Sequence, residues 1–204
     1  MNITKSMAVL LLLVSVTFAQ EKTPLSAFYQ SIAAEKIGNY DEAINILSKN
    51  YSAEKNNYLY NLRLGWLYYV KGDYKTSLFY YKNAVRISSN SIESLLGITY
   101  PYSAAKNIDA LKTIYKKILD KAPENYKANL NMGLLYFNQG DYLNSIIFLE
   151  NVVKNYPSDY SANLYLGWAN YYVGGNKKAH AYFQSALMAV PNDPSALKGY
   201  NATK

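Results

Sequence analysis

Glycine and proline recur along this 204-residue chain on one shared period of 34 residues, and that period limits what the chain can fold into. Gly38, Gly72, Gly140 and Gly174 fit it, with Lys106 standing where a fifth glycine belongs. Gly65, Gly133 and Gly167 fit it in a second register, and Pro123, Pro157 and Pro191 in a third. A unit of this length cannot bury its own apolar face. Neighbouring units must therefore stack, and the core runs along the array without a single centre.

The stretch from Asn131 to Pro157, NMGLLYFNQGDYLNSIIFLENVVKNYP, shows what one unit contains. Asn129, Met132, Gly133 and Tyr136 fall at i, i+3, i+4 and i+7, one stripe of an α-helix. Ser145, Leu149, Val152 and Val153 form a second stripe beyond Gly140-Asp141. Helices this short are marginal alone and must bury their stripes against each other.

LGWLYYVKGDYKTSLFYYKNAV and LGWANYYVGGNKKAHAYFQSAL, which carry these markers, resemble the tetratricopeptide repeat (TPR) family over about residues 24–193. The resemblance implies an all-α, right-handed superhelix of about five helical hairpins, forming one solenoid domain over residues 20–204. The repeats are 24–57, 58–91, 92–125, 126–159 and 160–193, with a short tail at 194–204.

Repeat one departs from the family pattern at Ala27, Gln30, Ser31 and Ala34, and its more polar face suits a capping unit. Repeat two is close to the pattern. Its Gly65 lets the two helices approach, and Gly72 ends the first helix, so a bulky residue should cost more at Gly65 than at Gly72.

Repeat three is degenerate: Thr99 replaces the packing glycine, Lys106 the turn glycine, and Pro101 falls inside the first helix. Proline there removes a hydrogen bond and collides with the Gly97 carbonyl, at about 3 kcal/mol or more. A kink or break around 97–101, splaying the inner surface, is one expectation; drift in a tolerant unit is the other. After Pro191 only Ser195 to Tyr200 offers a helical turn. Such a short cap would leave the end of repeat five partly exposed, a surface for self-association.

The N-terminus reads differently. An apolar run from Met7 to Val16, preceded by Lys5 and followed by Thr17-Phe18-Ala19, reads as a secretory signal cleaved after residue 19. It is shorter than the roughly 20 residues a permanent span needs. Cysteine is absent, so disulfides, thiolate metal sites and a lipid-bearing cysteine are not expected. The expected location is the periplasm of a Gram-negative cell, with the extracellular medium as the alternative.

Of 21 basic residues only Lys5 lies in the signal, so the mature chain keeps 20 against 14 acidic ones. That balance favours mild attraction to anionic surfaces, including weak contact with a membrane. It is too diffuse to indicate nucleic acid.

No catalytic constellation is evident. The single histidine, His180, has Lys177 and Lys178 beside it and no nucleophile or carboxylate at helical spacing. Asp41, Asp73 and Asp141 stand near turn glycines, where a carboxylate meets the positive end of the second helix and caps free amides. No phosphate-cradling glycine loop occurs, and no cofactor is implied. Lys112, Lys116, Lys117 and Lys121 form a basic run on the second helix of repeat three, read as a solvated face or a dock for an anionic partner.

The informative constellation is the one the resemblance implies. In this family the first helix of each repeat lines a concave groove with its second, fifth, sixth, ninth, twelfth and thirteenth residues. Here those positions include Leu62, Arg63, Trp66 and Tyr69, then Leu96 and Tyr100. Repeat four adds Lys127, Leu130, Asn131, Leu134 and Phe137, and repeat five Leu164, Tyr165, Trp168, Tyr171 and Tyr172.

Both tryptophans thus occupy a ninth position, and exposed Trp and Tyr are common anchors of binding surfaces. Other ninth positions, Ile32, Tyr100 and Leu134, lack the asparagine of the family's carboxylate clamp, leaving Arg63, Lys127 and Asn131 as isolated polar groups. The expected function is non-enzymatic capture of an apolar or aromatic-rich polypeptide. A structural scaffold using its ends or convex face is the alternative, and carbohydrate stacking a third, for which carboxylates near the tryptophans are sparse.

Overall fold

A computed structural model describes residues 23–204; the signal reading falls outside them. The described chain is entirely helical, with twelve helices: α1 (Pro24–Lys36), α2 (Tyr40–Ser48), α3 (Tyr51–Glu54), α4 (Tyr58–Lys71), α5 (Tyr74–Ile87), α6 (Ile92–Ala104), α7 (Ile108–Lys121), α8 (Tyr126–Asn138), α9 (Tyr142–Asn155), α10 (Tyr160–Tyr172), α11 (Asn176–Ala189) and α12 (Pro194–Ala202). Five hairpins result, α1/α2, α4/α5, α6/α7, α8/α9 and α10/α11, closed by α12. None of the described helices is long and apolar enough to cross a membrane.

Local chemistry sets the boundaries. Gly38, Gly72, Gly140 and Gly174 all have φ between 76° and 89°, which turns the chain out of the first helix of each hairpin. Lys106 occupies the same turn at φ 51° and carries the strain of a left-handed side-chain residue. Asp73 and Asp141 then cap α5 and α9 through the amides of Thr76 and Asn144. Asp41 does not cap α2. Asn39 does, and Asp41 lies within the first turn, ion-paired with Lys71 of the next hairpin.

First helices pack on first helices, α4 with α6, α8 with α10 and α10 with α12, whereas second helices do not meet one another as closely. The first helices therefore form the inner layer and the second helices the outer one. A buried asparagine, Asn61, Asn129 or Asn163, sits in the apolar stripe of three inner helices. Its amide donates to two backbone carbonyls of the preceding loop, as Asn129 does to Pro123 and Asn125. The stripe read as apolar thus has a polar member that ties down the inter-repeat loop.

Two expectations change. Helix α6 runs unbroken through Pro101, so there is no break at 97–101. Gly97 makes room for a ring: a Cβ there would lie 2.3 Å from the Tyr81 ring of α5, which also rests on Gly65. Phe183 of α11 meets Gly167 and Gly199 in the same way, with a Cβ at Gly199 falling 2.1 Å from it. At both places the ring of an outer helix sits against two inner helices, each of which offers it a glycine.

The second change is at the C-terminus, where the tail is a nine-residue helix capped by Asp193 and pressed on Phe183 through Gly199. His180 belongs to this cap, stacked on Tyr200 at 4.2 Å and bonded through Nδ1 to Thr203. In repeat one the second helix ends at Ser48 and is followed by the separate short helix α3.

Candidate functional site

The inner helices turn one stripe toward their partners and leave the next stripe partly open. In α4, Tyr60, Asn61, Leu64, Gly65 and Leu67 are buried, while Leu62, Arg63, Trp66 and Tyr69 are half-buried on the other side. The same division holds in α10, where Leu164, Tyr165, Trp168 and Tyr171 are half-buried and Tyr172 is exposed. Neither indole is sealed inside the layers.

The aromatic residues gather in two clusters. In the first, Trp66, Tyr69 and Tyr100 contact one another, with Tyr69 stacked on Tyr100 at 5.3 Å and Trp66 edge-on to it at 5.9 Å. In the second, Phe137 meets Tyr165 at 4.9 Å and Tyr172 at 6.2 Å, and Trp168 and Tyr171 join through Tyr172. Among the described residues no ring pair joins the two sets. Helices α6 and α8, which separate them, pack less closely than the other inner neighbours from α4 onward. Lys127 spans the gap, its Nζ donating to the Tyr100 hydroxyl at 2.9 Å.

A pocket of about 520 Å³ opens beside the first cluster, between α1, α4 and α6. Phe28, Leu62, Trp66, Leu96 and Tyr100 supply apolar walls, and Arg63 and Glu93 the polar ones. The indole of Trp66 donates to Glu35 of α1 at 2.6 Å. Glu35 also ion-pairs with Arg63 Nη2, and the buried Arg63 Nε has no partner. A buried N–H without an acceptor is costly.

The polar residues of the groove are not isolated. Arg63 is held by Glu35, Lys127 by Tyr100, and the Asn131 amide donates to the Lys127 carbonyl of its own helix at 2.7 Å. Glu35 also places a carboxylate on Trp66 where the sequence suggested few. Leu130 and Tyr165 pack on the core of repeats four and five, and Leu134 lies half-buried between the two clusters.

Sequence reasoning missed Tyr74 and Tyr142, the first residues of α5 and α9. Tyr142 stacks on Tyr172 at 4.6 Å and Tyr74 meets Tyr69 at 6.0 Å. Their signal was the repeated Gly-Asp-Tyr, in which the tyrosine follows the cap directly. It also missed Ser195 of α12, which accepts the Trp168 indole proton at 3.0 Å. Among the described residues no three His, Cys, Asp or Glu side chains come together as a metal site.

Comparison with known proteins places this geometry. Two family models described as tetratricopeptide repeat match residues 59–91 and 127–159. The chain is 24% identical over 200 residues to the TPR repeat-containing protein MJ1428 of Methanocaldococcus jannaschii, covering 87% of this chain and 33% of that protein. It thus spans about a third of that relative. Among solved structures, MamA superposes with a TM-score of 0.71 at 21% identity, over 81% of this chain and 90% of MamA. YrrB, a TPR protein with an unusual peptide-binding site, gives 0.70 at 14% identity, over 89% and 94%. At these identities the structural likeness establishes the fold alone.

Proposed function

Because this chain belongs to the tetratricopeptide repeat family, whose arrays are protein–protein interaction modules, we propose that it is a non-enzymatic binder that holds an extended polypeptide along its inner helices. The observation that carries this reading is the half-buried state of Trp66 and Trp168, which touch the core on one side, Trp168 against Phe183 of α11 at 5.0 Å, and are not covered by it on the other. An apolar side chain of the partner enters the pocket beside Trp66. A second anchors against Trp168 and Phe137. Each well-buried aromatic anchor contributes roughly 2 kcal/mol or more.

Residues 1–19 support an exported protein working in the cell envelope or periplasm. A scaffold subunit joined end to end is the alternative, favoured by Leu25 and Tyr29 on α1 and Ile37 just after it, all exposed in the first hairpin. Light scattering that shows mass rising with concentration would support it.

The groove is tested by panning a library of random peptides on the full chain and measuring binding of the enriched peptides by tryptophan fluorescence. Apolar or aromatic-rich peptides should emerge, shift the emission, and bind a Trp66→Ala/Trp168→Ala variant of unchanged helicity at least tenfold more weakly. Peptides that bind both forms equally would move the interface off the inner helices.

A further inference from the structure

Of the five outer helices, α5, α7, α9 and α11 present a face that the groove does not use; α2, which carries the exposed acids Asp41 and Glu42, is not part of it. Its charge is one-sided. Lys75 and Lys82 on α5, Lys116 and Lys117 on α7, and Lys177 and Lys178 on α11 are all exposed, whereas the only exposed acids on these four helices are Asp109 and Asp120. The asymmetry has a structural cause. Carboxylates elsewhere are engaged in folding, as helix caps at Asp73, Asp141, Asp159 and Asp193 and in the pair between Glu35 and Arg63. The lysines of the outer face have no such duty.

The same face exposes large apolar side chains: Phe79 at 55%, Ile147 at 57%, Leu143 at 67% and Met188 at 73%. These are not scattered. Phe79 and Ile147 hold the same position two periods apart, Lys75 and Leu143 share another, and Lys82 and Lys116 a third. Helices α5 and α9 therefore set apolar residues on the side of the molecule where α5, α7 and α11 carry cations, with Asp109 and Thr113 at the equivalent positions of α7. A solvated face explains the lysines and leaves the apolar residues without a role. A polyanion such as nucleic acid would engage the lysines and likewise leave Phe79 and Ile147 in water.

We infer that this convex face docks on an anionic lipid surface, with the lysines on phosphate groups and Phe79, Leu143 and Ile147 inserted at the headgroup boundary. A bilayer interface takes both components, because cations are attracted by its surface potential and apolar side chains gain from leaving water. The inner groove then faces away from the membrane, open to a partner. This inference does not rest on what the groove binds.

The test is flotation of the full chain with vesicles of phosphatidylcholine alone and of phosphatidylcholine with phosphatidylglycerol, at low and high salt. The protein should float with the anionic vesicles only, and salt should release it. A Lys75→Glu/Lys82→Glu/Lys116→Glu/Lys117→Glu variant and a Phe79→Ser/Ile147→Ser variant, both checked for unchanged helicity, should each bind at least about tenfold more weakly. Retention on neutral vesicles to the same extent would assign the binding elsewhere in the chain and overturn the inference. So would charge reversal without effect. An undiminished Phe79→Ser/Ile147→Ser variant, or equal capture by heparin-coated beads that the apolar substitutions leave unchanged, would reduce the face to a simple counter-charge for polyanions and overturn it as well.

Discussion

Replacing Gly97 by alanine asks whether that glycine eases a bend before Pro101 or makes room for a ring. The new Cβ would lie 2.3 Å from Tyr81 Cε1 and 2.4 Å from Cδ1. Ordinary contact begins near 3.4 Å, so the ring must yield by about 1 Å. It has little room to do so, being 2% exposed and already resting on Gly65. Overpacking of this kind costs about 1–3 kcal/mol, and the upper half applies where the neighbour cannot retreat. Alanine returns about 1 kcal/mol of helix propensity. The net is a destabilisation of about 1–2 kcal/mol, read as a lower urea midpoint by circular dichroism at unchanged slope.

In a Tyr81→Ala background the obstacle is gone, and the same substitution should stabilise by up to about 1 kcal/mol. The sign therefore reverses between the two backgrounds. If Gly97→Ala stabilises the otherwise intact protein, the ring-packing argument is wrong and Gly97 is only a weak point in α6.

Three further outcomes follow from the same structure. Lys106→Gly relieves a left-handed backbone at a turn that four other hairpins fill with glycine, and should raise the melting temperature by about 2–4 °C for a gain near 1 kcal/mol. Asp73 has its carboxyl held below the usual range by the backbone amide of Thr76, so its contribution is present above the unfolded carboxylate range and is lost as pH falls through the lowered folded value. Asp73→Ala should therefore cost about 1 kcal/mol at neutral pH and little in strong acid, measured by melts across pH. The hydrogen bond to Asp159 pushes the Tyr126 phenol up to about 12. The stabilisation linked to that proton is complete below the unfolded tyrosine value and disappears as pH rises toward 12. An alkaline melt series should thus show less loss in a Tyr126→Phe variant than in the unsubstituted protein.

Much of the architecture was legible in the chain because turns and caps are local. A glycine at positive φ and an Asp or Asn bonding an amide three residues on leave their mark within a few positions, and the 34-residue period repeats each of them four times. The groove-lining stripe of α4 and α10 was equally readable, since helical spacing alone divides one face from the other. The Gly-Asp-Tyr tyrosines could have been found the same way, had the residue after the cap been followed into the groove.

Other features needed the tertiary structure because their partners lie far apart in sequence. Glu35 reaches Trp66 across 31 residues, and nothing near Trp66 announces it. Gly97 and Gly199 stand three periods apart, but their meaning depends on Tyr81 and Phe183 in the preceding helices. The continuity of α6 through Pro101, the conversion of the last residues into a cap over Phe183, and the separation of the aromatic residues into two clusters follow from how neighbouring helices pack. Local periodicity determined which side chains were free of the hairpin; only the stacking of hairpins decided which of those side chains meet.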